Sequence, residues 1–170
     1  MAIRIVKAMP ADAEAILSFP KRCGAETDNL SFGAEGIPVS IEREAAYLLS
    51  VEASSASVFY LAKDGDEIVG TANYAVSPKR RTAHRGELGI CVAKSHWNRG
   101  IGTQLMEHLL AFAKDVAESE IVSLEVRSDN AAAIRLYQKF GFEKIGTFYG
   151  YFKIDGKLID FDIMELHLLR

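Results

Sequence analysis

Seven consecutive residues, Trp97-Asn98-Arg99-Gly100-Ile101-Gly102-Thr103, are of the types that could hold an anion. Glycine at 100 and 102 lets the backbone approach a bulky guest and take angles that a Cβ forbids. The N–H groups of residues 98–103 open a helix, where they converge on one spot and the helix dipole favours negative charge. Arg99 adds a positive charge beside them, and a diphosphate is the natural guest. Other residues could move protons. Glu125 alternates with Ile121 and Ser123 along one face of a strand whose other face is Val122, Leu124 and Val126. A carboxylate inside so apolar a strand is costly unless it has a task. Glu87 stands on the preceding strand. Tyr137 shares a helix face with Ala133, Ile134 and Phe140 by their spacing, and that face must meet the sheet.

Other chemistries fail on particular residues. A P-loop requires Gly-Lys-Ser/Thr where the chain has Gly-Ile-Gly-Thr. A dinucleotide fingerprint requires a small residue where Leu105 stands. Cys23 and Cys91 make no Cys-x-x-Cys, and neither is read as a nucleophile. His84, His96, His108 and His167 lack metal-ligand spacing, so no metal site is expected. The run Lys79-Arg80-Arg81 is read as a solvated hairpin tip.

These residues must be positioned by one scaffold of 170 residues, the length of a single domain, 1–170. With 49% hydrophobic and 25% charged residues, the composition is that of a globular protein. A net charge of −3 argues against a nucleic-acid binder. No apolar stretch is long enough to cross a membrane, and the charged N-terminal residues do not form a signal peptide. A cytoplasmic location is therefore expected. Strands are predicted over 3–6, 57–62, 68–76, 87–92, 121–126, 142–154 and 158–168. Helices are predicted over 11–19, 40–49, 100–117 and 130–140, with Pro20 ending the first. Residues 21–39 read as a long irregular connection. Strand 87–92, helix 100–117 and strand 121–126 make a right-handed βαβ crossover with parallel strands. Antiparallel strands flank it, so the class is α/β in the loose (α+β) sense: a mixed, mostly antiparallel sheet with helices on both faces.

The glycine loop, together with Leu124-Glu125-Val126-Arg127-Ser128-Asp129-Asn130 through Tyr137 and Phe140-Gly141-Phe142, closely resembles the GNAT superfamily of acyl-CoA-dependent N-acyltransferases. It looks most like the ribosomal-protein N-terminal acetyltransferases and their small-amine relatives. The family's pyrophosphate loop begins with Arg or Gln, where this chain has Trp97. The resemblance implies acetyl-CoA (coenzyme A) as cofactor and an amine as acceptor, and it allows a homodimer. It implies that strand 87–92 carries a bulge and splays from strand 121–126. The pantetheine then lies in the gap against Ile90, Cys91 and Val92, with the Val92 N–H facing the acyl carbonyl. Asn98, Arg99, Gly100, Ile101, Gly102 and Thr103 take the diphosphate, and Asn130 holds the pantetheine.

Acyl transfer to an amine needs charge stabilised on the thioester oxygen, a proton taken from the amine and a proton given to the thiolate. Tyr137 is the candidate acid. Glu125, twelve residues before it, is favoured as base, with Glu87 as its rival and water as a carrier for either. The acceptor is expected on the face away from the cofactor, under a lid formed by 21–39. Tyr149, Tyr151 and Phe152 are expected to form the other wall, with Asp28 and Glu35 attracting a cationic amine. The alternative is a non-catalytic acyl-CoA-binding sensor or interaction module of the same fold.

Overall fold

The computed structural model describes residues 2–168. Seven strands form one sheet: β1 Arg4–Lys7, β2 Ser57–Asp64, β3 Glu67–Val76, β4 Arg85–Val92, β5 Ile121–Arg127, β6 Glu143–Ile154 and β7 Lys157–His167, in the order β1-β2-β3-β4-β5-β7-β6. Every neighbouring pair is antiparallel except β4–β5. The helices are α1 Ala13–Glu26, α2 Ile41–Glu52, α3 Ile101–Asp115 and α4 Ala131–Lys139.

Strand alternation divides the apolar residues between two faces. Along β2, Val58 and Ala62 belong to a core with α3 and α4, whereas Leu61 belongs to a second core with α1 and α2. Leu105, Met106 and Leu109 recur at helical spacing on α3 and are fully buried against β3 and β4. On the other face α1 and α2 pack over β2 and β3. Beyond them, Glu87 of β4 and Glu125 of β5 remain exposed. The sheet is thus double-covered at one end and open on one face at its centre.

The mixed sheet and the parallel pair agree with the expectation from sequence. The first helix does not. Pro20 lies inside α1 and does not end it. Proline removes one i→i−4 bond, at a cost of about 3 kcal/mol. Phe19, Pro20 and Cys23 are all buried on the inner side of α1, and this packing carries the helix past the break to Glu26. The irregular connection is correspondingly shorter. Ser40 ends it by capping α2, its side chain accepting from the Arg43 N–H at 3.2 Å. Along α2, Leu48 and Val51 are buried, while Ile41 and Leu49 are 46% and 59% exposed.

Candidate active site

The site begins where two parallel strands part. β4 and β5 pair at Arg85↔Ile121, Gly86↔Val122 and Glu87↔Ser123, and no further. β4 stays in register with β3 as far as Gly70↔Val92 without a shift. The bulge expected in β4 is therefore absent; the strands diverge while the β3–β4 ladder remains regular. Ladder alternation supplies the free groups instead. Bonds from Ser77 N to Arg85 O at 3.0 Å and from Ala93 N to Val69 O at 2.9 Å bracket the β3–β4 ladder. They fix Glu87, Gly89 and Cys91 as the residues whose N–H and C=O face β3. Those of Leu88, Ile90 and Val92 face the side of β5. Past the fork, Ile90 and Val92 present them to an open gap.

Trp97 acts on one of these groups. Its indole Nε1 donates to the Val92 carbonyl at 2.8 Å. Of Val92's two peptide groups this leaves the N–H for a guest. The departure from the family's Arg or Gln thus places a donor on the strand at the mouth of the gap.

The glycine loop follows. Asn98 and Gly100 have φ of +60° and +77°, and Gly100 is the N-cap of α3. These left-handed turns swing successive N–H groups toward the same side. The first N–H that α3 bonds to its own turn is that of Gln104, to Gly100 O at 3.1 Å. The N–H groups of Ile101, Gly102 and Thr103 precede it, the usual orphans of a helix start. A Cβ on Gly102 would come 3.0 Å from Leu136 Cδ2, so α4 packs against the loop as closely as glycine permits.

A cavity of about 370 Å³ joins the gap to this loop. Ile90, Cys91 and Val92 line it, as do Asn98, Gly100, Ile101, Gly102, Thr103, Asn130 and Tyr137. Every expected cofactor-binding residue but one is therefore gathered in a single cleft. The exception is Arg99, whose guanidinium lies 3.8 Å from Asp64 and does not line the cleft. Thr27, Asn29 and Leu30 also line it. The connection expected as a lid over the acceptor thus borders the cofactor cleft, pinned by a bond from Arg127 to the Asp28 carbonyl at 3.2 Å. The Glu35 carboxylate is engaged within its own loop, accepting from the Gly33 N–H at 2.8 Å.

Asn130 caps α4 through its side-chain oxygen, which accepts from the Ala133 N–H at 3.2 Å, and it also borders the cleft. The turn before it is anchored from β7. Asp162, only 6% exposed, accepts from Ser128 at 2.7 Å and Thr147 at 3.0 Å and pairs with Lys144 at 2.9 Å. Burial works to raise its pKa, but Lys144, Ser128 and Thr147 together hold it below the usual carboxylate value.

Tyr137 is buried, with its ring 6.1 Å from that of Phe142. Among the described residues nothing hydrogen-bonds its hydroxyl, which is left to the cleft. Burial, and then Cys91, push its pKa up to about 12. Such a phenol keeps its proton at neutral pH. Cys91 shares a hydrogen bond with Cys23, which joins two cysteines far apart in sequence. That bond first, and burial second, push the Cys91 thiol up. It stays protonated, which agrees with its exclusion as a nucleophile.

On the open face of the fork lie both carboxylates. Burial, and then the Glu125 carboxylate, raise Glu87 above the ordinary value for glutamate. Tyr151 hydrogen-bonds Glu125, and that bond first raises the pKa of its phenol. Glu125 itself is exposed, on the face of β5 where alternation placed it. Of the other expected wall residues, Phe152 stacks with Tyr151 at 5.4 Å, while Tyr149 is 85% exposed. A second cavity, of about 690 Å³, runs from Gly89 past Glu87 and Ser123 to Arg85, Thr82 and Lys79. Sequence reasoning missed this cavity and the residues that flank Glu87, because it is formed by the β3–β4 connection folding over the sheet. Among the described residues no cluster of His, Cys, Asp and Glu could hold a metal. Among the described residues no helix is long and apolar enough to cross a membrane.

Comparison with known proteins agrees with this geometry. The chain is 35% identical over 97 residues to the L-amino acid N-acetyltransferase AaaT of Escherichia coli, a match covering 57% of this chain and 59% of that protein. It is 34% identical over 95 residues to the N-alpha-acetyltransferase RimI of Mycobacterium tuberculosis, covering 56% and 58%. The matches thus span less than two thirds of these relatives' lengths. Among solved structures, the acetyltransferase of GNAT family from Streptococcus pneumoniae superposes with a TM-score of 0.93 at 31% identity, covering 98% of this chain and 99% of that one. The yncA protein of Salmonella typhimurium, solved with its cofactor acetyl-CoA, shares the fold with a TM-score of 0.84 at 20% identity, covering 99% and 95%. Residues 26–142 match the Acetyltransferase (GNAT) family, and the chain belongs to it.

Proposed function

We propose that this protein transfers the acetyl group of acetyl-CoA to a primary amine by direct attack in a ternary complex. The observation that carries the reading is the end of β4–β5 pairing at Glu87↔Ser123. It opens a fork with Tyr137 and the Val92 N–H on one side and two carboxylates on the other.

Acetyl-CoA, the family's cofactor, supplies an activated acyl carbon and a thiolate leaving group when bound. The cleft fits it: glycine at 100 and 102 leaves room for a diphosphate beside helix-terminal N–H groups, and the gap offers strand groups to an amide-bearing arm. The Val92 N–H is aimed to stabilise charge on the acyl oxygen. Glu87 and Glu125 draw the acceptor's ammonium to the fork and take its proton, directly or through water. Glu87 is raised above the ordinary glutamate value by partial burial and then by the Glu125 carboxylate, which suits it to accept a proton near neutral pH. Tyr137 gives its proton to the departing sulfur. One N–C bond forms and one C–S bond breaks; the nitrogen gives up two protons, one as the ammonium before attack and one after it, to the carboxylates or water, while the phenol's proton passes to the thiolate and is replaced through water, so that one proton is released in all. The cytoplasm is the proposed compartment, since a reducing environment suits the free thiols of Cys23 and Cys91.

Thiol release from acetyl-CoA over an amine panel, with mass spectrometry of the acceptor, tests the reading. One thiol per acetylated amine is expected. Tight acetyl-CoA binding with no acetylated product on any amine would instead make the chain an acyl-CoA-binding module.

A further inference from the structure

The 690 Å³ cavity is polarised along its length. Glu87 stands at the fork end, with Glu125 beside it. At the other end are Lys79 and Arg85, with the hydroxyls of Ser77 and Thr82 between them. Those hydroxyls bond each other at 2.5 Å, and Ser77 N bonds Arg85 O at 3.0 Å, which fixes the turn against β4. The basic run that reads from sequence as a solvated hairpin tip is thereby brought to the cavity. Lys79 lines it, and Arg80 and Arg81 occupy the short 3-10 turn that follows.

The two cations of the cavity are not equivalent. Arg85 is paired with Glu165, which is 11% exposed and balances it from the buried side. Lys79 has no ion-pair partner among the described residues. The far end therefore carries net positive charge, and the fork end carries net negative charge. Arg85 and Glu87 are two residues apart on one strand face, about 7 Å, and Lys79 lies beyond Arg85, so the charged ends are separated by roughly 7–10 Å.

We infer that the acceptor is an amine bearing an anionic group some 7–10 Å from the reacting nitrogen, its ammonium at Glu87 and its anion at Lys79 and Arg85. The inference rests on the acetyltransferase reading above and narrows its substrate class. It disfavours polyamines. A second ammonium would be driven against Lys79, with Glu165 there already paired to Arg85, a repulsive element that gives specificity as directly as an attractive one. A peptide N-terminus with an acidic residue at the second or third position fits, as does an ω-amino acid.

Two matched sets of acceptors test this, with kcat/KM measured at low and at physiological salt. The first is 6-aminohexanoate, hexylamine and 1,6-diaminohexane; the second is the tripeptide amides Ser-Glu-Ala and Ser-Lys-Ala. In each set the acidic member is expected to exceed the basic one by about tenfold or more, with the margin shrinking as salt rises. In Lys79→Glu the order should reverse, while the affinity for acetyl-CoA stays as in the wild type. Equal rates within both sets, a preference for the basic members, or an order indifferent to Lys79→Glu would overturn the inference and leave acetyl transfer standing. Acetyl-CoA binding without acetylation of any of the five would overturn the reading beneath it as well.

Discussion

The indole N–H of Trp97 is hydrogen-bonded to the carbonyl of Val92 at 2.8 Å, so the residue that opens the glycine loop also ties down the strand end that borders the cofactor cleft. Alternation aims both peptide groups of Val92 into the gap, and Trp97 occupies one. Trp97→Phe keeps the ring and removes the donor. A neutral hydrogen bond contributes about 1 kcal/mol, so the affinity for acetyl-CoA should weaken about fivefold. Calorimetric titration checks this; an unchanged affinity would mean that the bond does not order the strand end.

Tyr137→Phe separates the phenol's chemistry from its packing. The ring contact with Phe142 survives and only the hydroxyl is lost. Turnover should fall by about 10²-fold, the lower range for a positioned acid. Acetyl-CoA affinity should move less than twofold. With a pKa of about 12 the phenol keeps its proton throughout the neutral range, so the wild type should show no alkaline loss from this group below pH 10. Wild-type turnover in the variant would return Tyr137 to the core.

The carboxylate pair makes a signed prediction about pH. Glu87 titrates above the ordinary glutamate value, partly because Glu125 is charged. Activity that needs Glu87 ionised should therefore be lost on acidification at a pH above that of an isolated glutamate. Glu125→Gln removes the repulsion and should move this acid limb to lower pH while slowing transfer at neutral pH. Glu87→Gln should abolish the limb and cost about 10²–10⁴-fold in kcat. A limb that stays in place in Glu125→Gln would uncouple the two residues.

The two cysteines predict an absence of effect. Cys91 is held protonated by its bond to Cys23 and by burial, so it performs no covalent step. Cys91→Ala should keep wild-type kcat, and no acetyl-enzyme should be trapped in either protein. An acetylated Cys91 seen by mass spectrometry after quenching would contradict direct transfer.

Asp162 links stability to the site. Its folded pKa lies below the unfolded value, so its contribution is fully present above the ordinary aspartate pKa and is lost as pH falls through the lowered one. Asp162→Asn should destabilise by about 2 kcal/mol at neutral pH, since it breaks charge-assisted bonds in a buried position. The penalty should shrink as pH falls through the lowered pKa of Asp162. Urea unfolding at neutral and at acid pH checks the sign.

What could be read from the sequence was local. The Gly100–Gly102 spacing located the loop, because a close approach of backbone to an anion requires glycine in a short window. Alternation put Glu125 on the correct face of β5, and helical spacing turned Tyr137 toward the sheet. What could not be read depended on which segments meet. Whether Glu125 is buried depends on how far α1 and α2 extend across the sheet. The persistence of α1 through Pro20 comes from packing beneath Phe19 and Cys23. Trp97 reads as a lost contact until the fold brings its indole to Val92. The Cys23–Cys91 bond and the proximity of Lys79 to Glu87 join residues that no sequence window contains.

Acetyl transfer by this protein depends on the N–H groups around Gly102 gripping a diphosphate. Titration of acetyl-CoA into the wild type and into Gly102→Val, with thermal unfolding of both proteins measured alongside, tests this most directly. A Cβ at 102 already approaches Leu136 Cδ2 at 3.0 Å, and both residues line the cleft, so a branched side chain there crowds the space beside the helix-terminal N–H groups. Saturable binding by the wild type is expected, with at least a tenfold loss in a variant that still unfolds cooperatively. Equal affinity in the two folded proteins would contradict it.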